Sequence, residues 1–225
     1  MARQSNSQTL SELVRGQLHH DILSGVWSPG DRLQLTALSE RYETSSTVVR
    51  EALTRLVGER LVELRPNRGF TVPTISLEEL RDLTEMRCVN EALGVKLATE
   101  RGDLDWESEL IAVNHRLERA PEWDTETGLH SMDWNNAHRD FHLKLIEPSG
   151  IPILYDLCGT LFDLVLLYGR WSDTAGRMVG RDIAQEHRAI MDAAINRKGD
   201  LAAKLLREHY ETTLNAVVAQ TATQE

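Results

Sequence analysis

The run Thr36-Ala37-Leu38-Ser39-Glu40-Arg41-Tyr42-Glu43-Thr44-Ser45-Ser46-Thr47-Val48-Val49-Arg50-Glu51-Ala52-Leu53, continued by Leu61-Val62-Glu63-Leu64-Arg65-Pro66-Asn67-Arg68-Gly69-Phe70-Thr71-Val72, decides the fold of the front third of the chain. Leu38 and Tyr42 stand four apart and can share the buried side of one short helix near 35–42. After a tight break, Ser45-Ser46-Thr47 opens a second helix near 46–59, with Arg50 about one turn in. Leu61–Leu64 and Phe70–Val72 then read as two short strands around Arg65-Pro66-Asn67-Arg68-Gly69. Helix, turn, helix and basic hairpin are the parts of a winged DNA reader.

Roles follow from chemistry. The second helix is the one expected in a major groove, its first turn toward base edges. Ser45, Ser46 and Thr47 can cap it and touch phosphate. Arg50 can reach a guanine edge or a phosphate, and Arg68 at the hairpin tip can reach a minor groove or the backbone. Gly69 supplies the positive φ that the turn asks for. Taken singly, Arg50 or Arg68 reads better as an ordinary surface cation; the arrangement as a whole is what points to DNA.

Ahead of this run, residues 1–8 read as disordered, and Leu10, Leu13, Val14, Leu18, Ile22 and Leu23 mark an amphipathic helix that Ser24-Gly25 ends. Ser28-Pro29-Gly30-Asp31 reads as a turn. The net charge of −10 opposes DNA binding at first sight. Its distribution removes the objection. Residues 1–74 hold nine Arg, no Lys and eight acidic residues, a net of +1, whereas residues 75–225 hold 16 Lys and Arg against 27 acidic residues, a net of −11. An acidic half should face away from a duplex while the Arg-only half presents a local basic face. Arginine also suits bidentate contacts to phosphate and guanine.

At 41% apolar residues the chain can bury a core, and no apolar run approaches the ~18 residues that a membrane span requires. The polar start Met1–Ser7 lacks the apolar segment of a secretory signal, and the two cysteines, Cys88 and Cys158, sit in apolar helical stretches as expected of reduced structural thiols. A cytoplasmic protein is expected. From Ser76 the texture is helical. Ser76-Leu77-Glu78-Glu79 is a capping box opening a helix to about Arg101, with further helices expected near 105–119, 127–147, 150–170, 177–197 and 199–219, the last capped by Asp200. Long amphipathic segments with short connections argue for an antiparallel bundle. Residues 1–74 and 75–225 are therefore expected as two domains, mostly α overall.

Four of the eight histidines form a pattern. His138 and His142 share a helix face, His187 lies on the stripe Ile183, His187, Ile190, Met191, Ala194, and His209 lies on Leu205, Leu206, His209, Thr213, Ala216. Three helices thus turn imidazole toward an apolar interior, where it needs a partner. A shared metal ion is one solution, and bundles commonly build such sites from facing helices. Spacing alone leaves satisfied core histidines equally open. His19, His20, His115 and His130 lack such company and read as surface residues.

The segment Ile22-Leu23-Ser24-Gly25, Pro29-Gly30, Leu33, Leu38-Ser39, Val49-Arg50-Glu51-Ala52-Leu53, Leu56, Leu61-Val62, Arg68-Gly69 and Val72 resembles the amino-terminal domain of GntR-type transcription regulators. That family often has Arg at the place of Ser46, Pro at Val48 and, in some members, a DNA-contacting Arg at Thr36. These departures bear on which operator is read, not on DNA binding itself. Residues 76–219 resemble the FCD domain of the FadR-like subfamily through Glu85-Met86-Arg87 with Glu91, Phe141-His142 with Leu145, Glu186-His187 with Ile190, and His209.

The resemblance implies a metal held by three His and one Asp. His142, His187 and His209 match, and His138 stands where the family has Asp. Losing that carboxylate leaves a divalent cation uncompensated and favours an anion beside it, most simply the carboxylate of an effector. Imidazole-rich ligation suits a transition metal such as Zn or Ni better than Mg or Ca. Arg87 is placed by the resemblance to meet an acidic effector; a salt bridge with Glu91, four residues on, is the plainer reading. The expectation is a metabolite-responsive regulator, a repressor as is commoner in that family. It would bind an operator as a homodimer whose helical domain carries the dimer contact, with an organic acid shifting the two DNA readers. The competing readings are a DNA-binding protein with structural histidines, and a metal-dependent enzyme. The enzyme lacks an evident general base, since Glu186 should point away from His187 on its helix.

Overall fold

A computed structural model describes residues 9–74, 76–126, 131–171 and 181–221. The chain forms two compact units, residues 1–74 and 75–225. The expectation for residues 1–8 falls outside the described residues.

In the first unit, α1 (Leu10–Leu23) is capped by Thr9, whose hydroxyl accepts from the Glu12 amide. It buries Val14, Leu18, Ile22 and Leu23 against α3 (Ser46–Gly58), which contributes Val49, Ala52, Leu53 and Leu56. Each of the Val, Leu and Ile side chains among these, removed from water, stabilises by roughly 1.5–3 kcal/mol. Between them α2 (Leu35–Arg41) buries Leu38 completely. Tyr42 ends α2 half-buried, and its hydroxyl donates to Asp21 at 2.8 Å. The break to α3 passes through Glu43 at φ 49°, the left-handed conformation that stops a helix.

The hairpin pairs β1 (Glu63–Arg65) with β2 (Gly69–Thr71) antiparallel, in the register Glu63 with Thr71 and Arg65 with Gly69. The first strand begins two residues later than the sequence suggests. Leu61 and Val62 are buried, but their amides donate to the Leu56 carbonyl and close the end of α3 instead of joining the ladder. Residues 30–33 do more than turn. The amides of Gly30, Leu33 and Val72 bond the Val72, Phe70 and Asp31 carbonyls, laying this segment along the outer side of β2.

The second unit is a helical bundle: α4 (Leu77–Arg101), α5 (Leu104–Arg119), α6 (Met132–Ile146), α7 (Pro152–Trp171), α8 (Ile183–Ile195) and α9 (Gly199–Thr221), with a 3₁₀ turn at Glu147–Ser149. The capping box at Ser76 and Glu79 forms as expected. Two starts and one cap differ from expectation. Ser131 caps α6 by accepting from the Trp134 amide, so that helix begins at Met132; residues 127–130 lie outside the described residues. Asp182 caps α8 by accepting from Gln185, which puts its start at Ile183, while residues 177–180 lie outside the description. Helix α9 already includes Gly199, so Asp200 lies inside its first turn, paired with Lys96 at 2.6 Å, and is not the cap. Helix α4 packs on α9, α7 and α6, and α8 packs on α9 and α5. The core is Cys88, Val95, Ala98, Leu110, Phe141, Leu145, Ile146, Ile190, Ala194 and Leu206 with their neighbours. Cys88 and Cys158 are free, buried thiols, pushed up by burial to about 11 and about 12.

Candidate DNA-reading surface and histidine centre

Ser45 is the N-cap of α3, its hydroxyl accepting from the Val48 amide at 3.4 Å. Ser46 and Thr47, the first residues of that helix, are exposed, as are Thr36 on α2 and Arg50 on α3. Arg68 is exposed in the turn between the strands, whose Arg68 amide donates to the Arg65 carbonyl. Gly69 sits at φ 76° and Asn67 at φ 62°, so the turn uses two left-handed residues where one was expected. The ion pairs divide the arginines. Arg15, Arg41, Arg55 and Arg65 are tied to Glu12 and Glu59, Asp21, Glu12 and Glu51, and Glu63 respectively. Arg50 and Arg68 form no ion pair among the described residues, so their charge is available to an external anion.

In the bundle, His138 and His142 of α6, His187 of α8 and His209 of α9 converge, each offering a ring nitrogen within 4.8 Å of the others. His142, His187 and His209 are buried and His138 is half-buried. His138 Nε2 lies 2.9 Å from His142 Nε2 and 3.1 Å from His187 Nε2. Trp134 stacks on His138 with ring centroids 4.6 Å apart, and Phe141 and Phe162 close the walls. The remaining predicted surface histidines are elsewhere: His115 and His20 are exposed, His19 is half-buried on α1, and His130 lies outside the described residues.

Outer contacts fix two tautomers. Tyr210 donates its hydroxyl proton to Glu91, so its oxygen, 2.8 Å from His142 Nδ1, accepts from that nitrogen. Glu186 Oε2 lies 2.6 Å from His209 Nδ1 and can only accept. Both rings therefore carry their proton on Nδ1 and turn an Nε2 lone pair inward. One proton on His138 Nε2 can satisfy a single neighbour, while two other ring nitrogens face it. The cluster has more lone pairs than protons to fill them.

Protonation does not repair the deficit. Burial and the neighbouring imidazoles hold His138 and His187 well below the usual imidazole range. Burial lowers His142 in spite of Glu91, and lowers His209 to about 4 in spite of Glu186. A cation with lone-pair acceptors fits this donor set. Metal–imidazole bonds of about 2.0–2.1 Å bring such a set within reach of one ion, and carboxylates on the far ring nitrogens are the usual outer support of metal-bound histidine.

Each of those carboxylates is already neutralised. Glu91 bonds Arg87 at 2.8 Å, with both side chains buried; burial alone would raise this carboxyl, but Arg87, His142 and Tyr210 outweigh it and hold it at about 2. Glu186 is likewise held at about 2, Arg181 and His209 outweighing burial. Arg181 bonds Glu186 through Nε and Nη2 at 2.7 and 2.6 Å. The sequence reading of Glu186 was right that it does not face His187, but it missed that it serves His209 on the next helix. Arg181 and Tyr210 were missed altogether. Tyr210, next to His209, could have been suspected from its hydroxyl; Arg181 precedes its helix and carries no periodic signal. The plainer reading of Arg87 holds, since it pairs with Glu91, yet its buried Nη2 has no hydrogen-bond partner among the described residues.

A winged helix-turn-helix joined to an all-helical bundle defines a DNA-binding transcription regulator. Residues 10–72 match the gntR family of bacterial regulatory proteins and residues 82–212 match the FCD domain. The chain belongs to the GntR family of transcription regulators, in its FCD-containing branch. It is 32% identical to an uncharacterized HTH-type transcriptional regulator, BphR of Paraburkholderia xenovorans (strain LB400), over 95% of this chain and 87% of that one. It is 30% identical to the HTH-type transcriptional repressor GlaR of Escherichia coli (strain K12), over 88% and 90%. The solved structure of E. coli McbR/YncC superposes with a TM-score of 0.78 at 26% identity, covering 95% of this chain and 99% of that one. These relatives are transcription regulators, not enzymes. No described helix is long and apolar enough to cross a membrane.

Proposed function

We propose that this regulator is a cytoplasmic, homodimeric repressor whose bundle senses a small organic acid over a divalent transition metal held by His138, His142, His187 and His209. The observation that carries the reading is the surplus of inward lone pairs among four neutral imidazoles, three buried and one half-buried. Zinc, nickel or a similar ion supplies Lewis acidity there. Glu91 and Glu186 orient His142 and His209, and Arg87 and Arg181 cancel those carboxylates. A divalent charge among neutral ligands then favours an anion, and the carboxylate of an effector provides one. Arg87, whose buried Nη2 has no hydrogen-bond partner among the described residues, adds a second attraction for it. The DNA contacts are assigned to Thr36, Ser45, Ser46, Thr47, Arg50, Arg68 and Gly69, on the exposed first turns and the wing. Acid binding changes operator affinity only to the extent that it prefers one of two states of the dimer.

Native mass spectrometry of protein purified without chelator, then supplied with Zn²⁺ or Ni²⁺, tests the centre. The expected result is a dimer with one ion per chain, and His187→Ala or His209→Ala losing most of it. Full metal retention by both variants, or no uptake by the unaltered chain, would refute the assignment.

A further inference from the structure

Resting on the proposal that the histidine centre anchors an acid, we infer that the effector is an amino acid, its ammonium group seated in the cavity beside His187. That cavity measures about 370 Å³ and is lined by His187 together with Asn114, Glu118, Glu122, Arg181 and Asp182. His187 belongs both to the wall and to the cluster, so a ligand held at the centre extends into this space. A volume of this size suits a small metabolite.

The lining does not suit a second carboxylate. The only Lys or Arg of the lining among the described residues, Arg181, is spoken for: it bonds Glu186 twice, Thr213 Oγ1 at 2.8 Å and the His209 carbonyl at 2.9 Å. Glu118, Glu122 and Asp182 are anionic, and Arg188 from outside offsets only Glu118, at 3.3 Å. The balance of charge favours a cationic group within the ligand.

Asn114 adds an independent observation. It is 4% exposed, and its Nδ2 donates to Glu118 Oε1 at 3.1 Å. A carboxylate only accepts, so the orientation of this amide is fixed and the other atom is the carbonyl oxygen. That Oδ1 has no hydrogen-bond partner among the described residues. A buried acceptor without a donor is costly, and Asn114 lines this cavity together with the carboxylates of Glu118, Glu122 and Asp182. A hydroxyl would satisfy Asn114 alone; an ammonium satisfies Asn114 and faces the carboxylates as well. The ligand thus presents a carboxylate to the metal and Arg87, and an amine to Asn114 and Glu118.

Calorimetric titration of the Zn²⁺-loaded full chain at pH 7.5 separates these chemistries. Three matched series are used: propionate, lactate and alanine; succinate, malate and aspartate; phenylpropionate, phenyllactate and phenylalanine. In at least one series the amino acid should bind about tenfold or more tighter than both counterparts. Asn114→Leu and Glu118→Gln should each cut that advantage to about threefold or less; Glu118 lies at the outer end of the site, so its variant still reports if Asn114→Leu misfolds. Equal or tighter binding of the amine-free acids in every series overturns the inference and leaves the acid-sensing reading standing. An amino-acid advantage that survives both variants also overturns it. If no compound of any series binds, the inference falls, and the acid-sensing reading falls with it for ligands of these sizes, while the metal count tests the centre separately.

Discussion

Arg87 is the residue on which the outer support of the histidine cluster turns. Its guanidinium lies 4.0 Å from the Tyr210 ring centroid and 5.0 Å from that of Phe162, and its Nε donates to Glu91. Glu91 in turn holds Tyr210, and through it the tautomer of His142. Removing the guanidinium leaves a buried carboxylate without its counter-charge. Arg87→Met, which keeps much of the side-chain volume, should therefore cost about 3–5 kcal/mol of folding stability. Urea unfolding of the metal-free protein measures this, and a loss below about 1 kcal/mol, the scale of a surface pair, would mean that the ion pair is not the support described here. An Arg87→Met, Glu91→Leu double variant should recover much of the loss, since it removes both charges together.

At the scale of the element, α3 carries two exposed arginines with different surroundings. Arg55 is tied to Glu12 and Glu51, whereas Arg50 forms no ion pair among the described residues. The two should separate in binding. Arg50→Ala should weaken affinity for a duplex selected by the protein by about 1–3 kcal/mol and lower the salt dependence, as a lost base or phosphate contact would. Arg55→Ala should change it by less than about 1 kcal/mol. Fluorescence anisotropy across a salt series measures both, and equal losses would show that α3 does not read DNA through its first turns. This helix was legible from sequence because its cap, its apolar spacing and its wing are all local patterns. The i,i+4 pair His138 and His142 was legible for the same reason. What escaped depended on distant partners: residues 30–33 pairing with β2, Leu61 and Val62 closing α3, Asp182 taking the cap of α8, and Arg181 with Glu186 meeting His209. None of these shows as periodicity within one segment. Asp200 misled because a capping residue type after a turn looks the same whether the helix begins before or after it.

For the whole molecule, the strongest consequence is a dependence on acid. Four imidazoles are held neutral inside the bundle of a chain whose net charge is −10. In the unfolded chain each takes a proton as pH falls through about 6.5; in the fold they resist, His209 down to about 4. His209 is faced by Glu186 and Arg181 as well as by His138, His142 and His187, and burial outweighs the one favourable carboxylate. The sign follows: below about 6.5 the unfolded state binds more protons than the folded one, so stability falls with pH. With folded and unfolded values of about 4 and about 6.5, His209 alone withdraws about 2 kcal/mol at pH 5 relative to pH 7.5. The other three act in the same direction. Glu91 and Glu186, held at about 2, begin to withdraw stability only below about 4.5, so they extend the loss to lower pH without causing its onset. Metal-free protein should therefore lose melting temperature steadily from pH 6.5 to pH 5, before carboxylates matter. Calorimetric melts of chelator-treated protein between pH 7.5 and pH 5 measure it. A flat melting temperature over that range would mean that the imidazoles charge freely in the fold, and the neutral, lone-pair-rich centre on which the metal assignment depends would not exist.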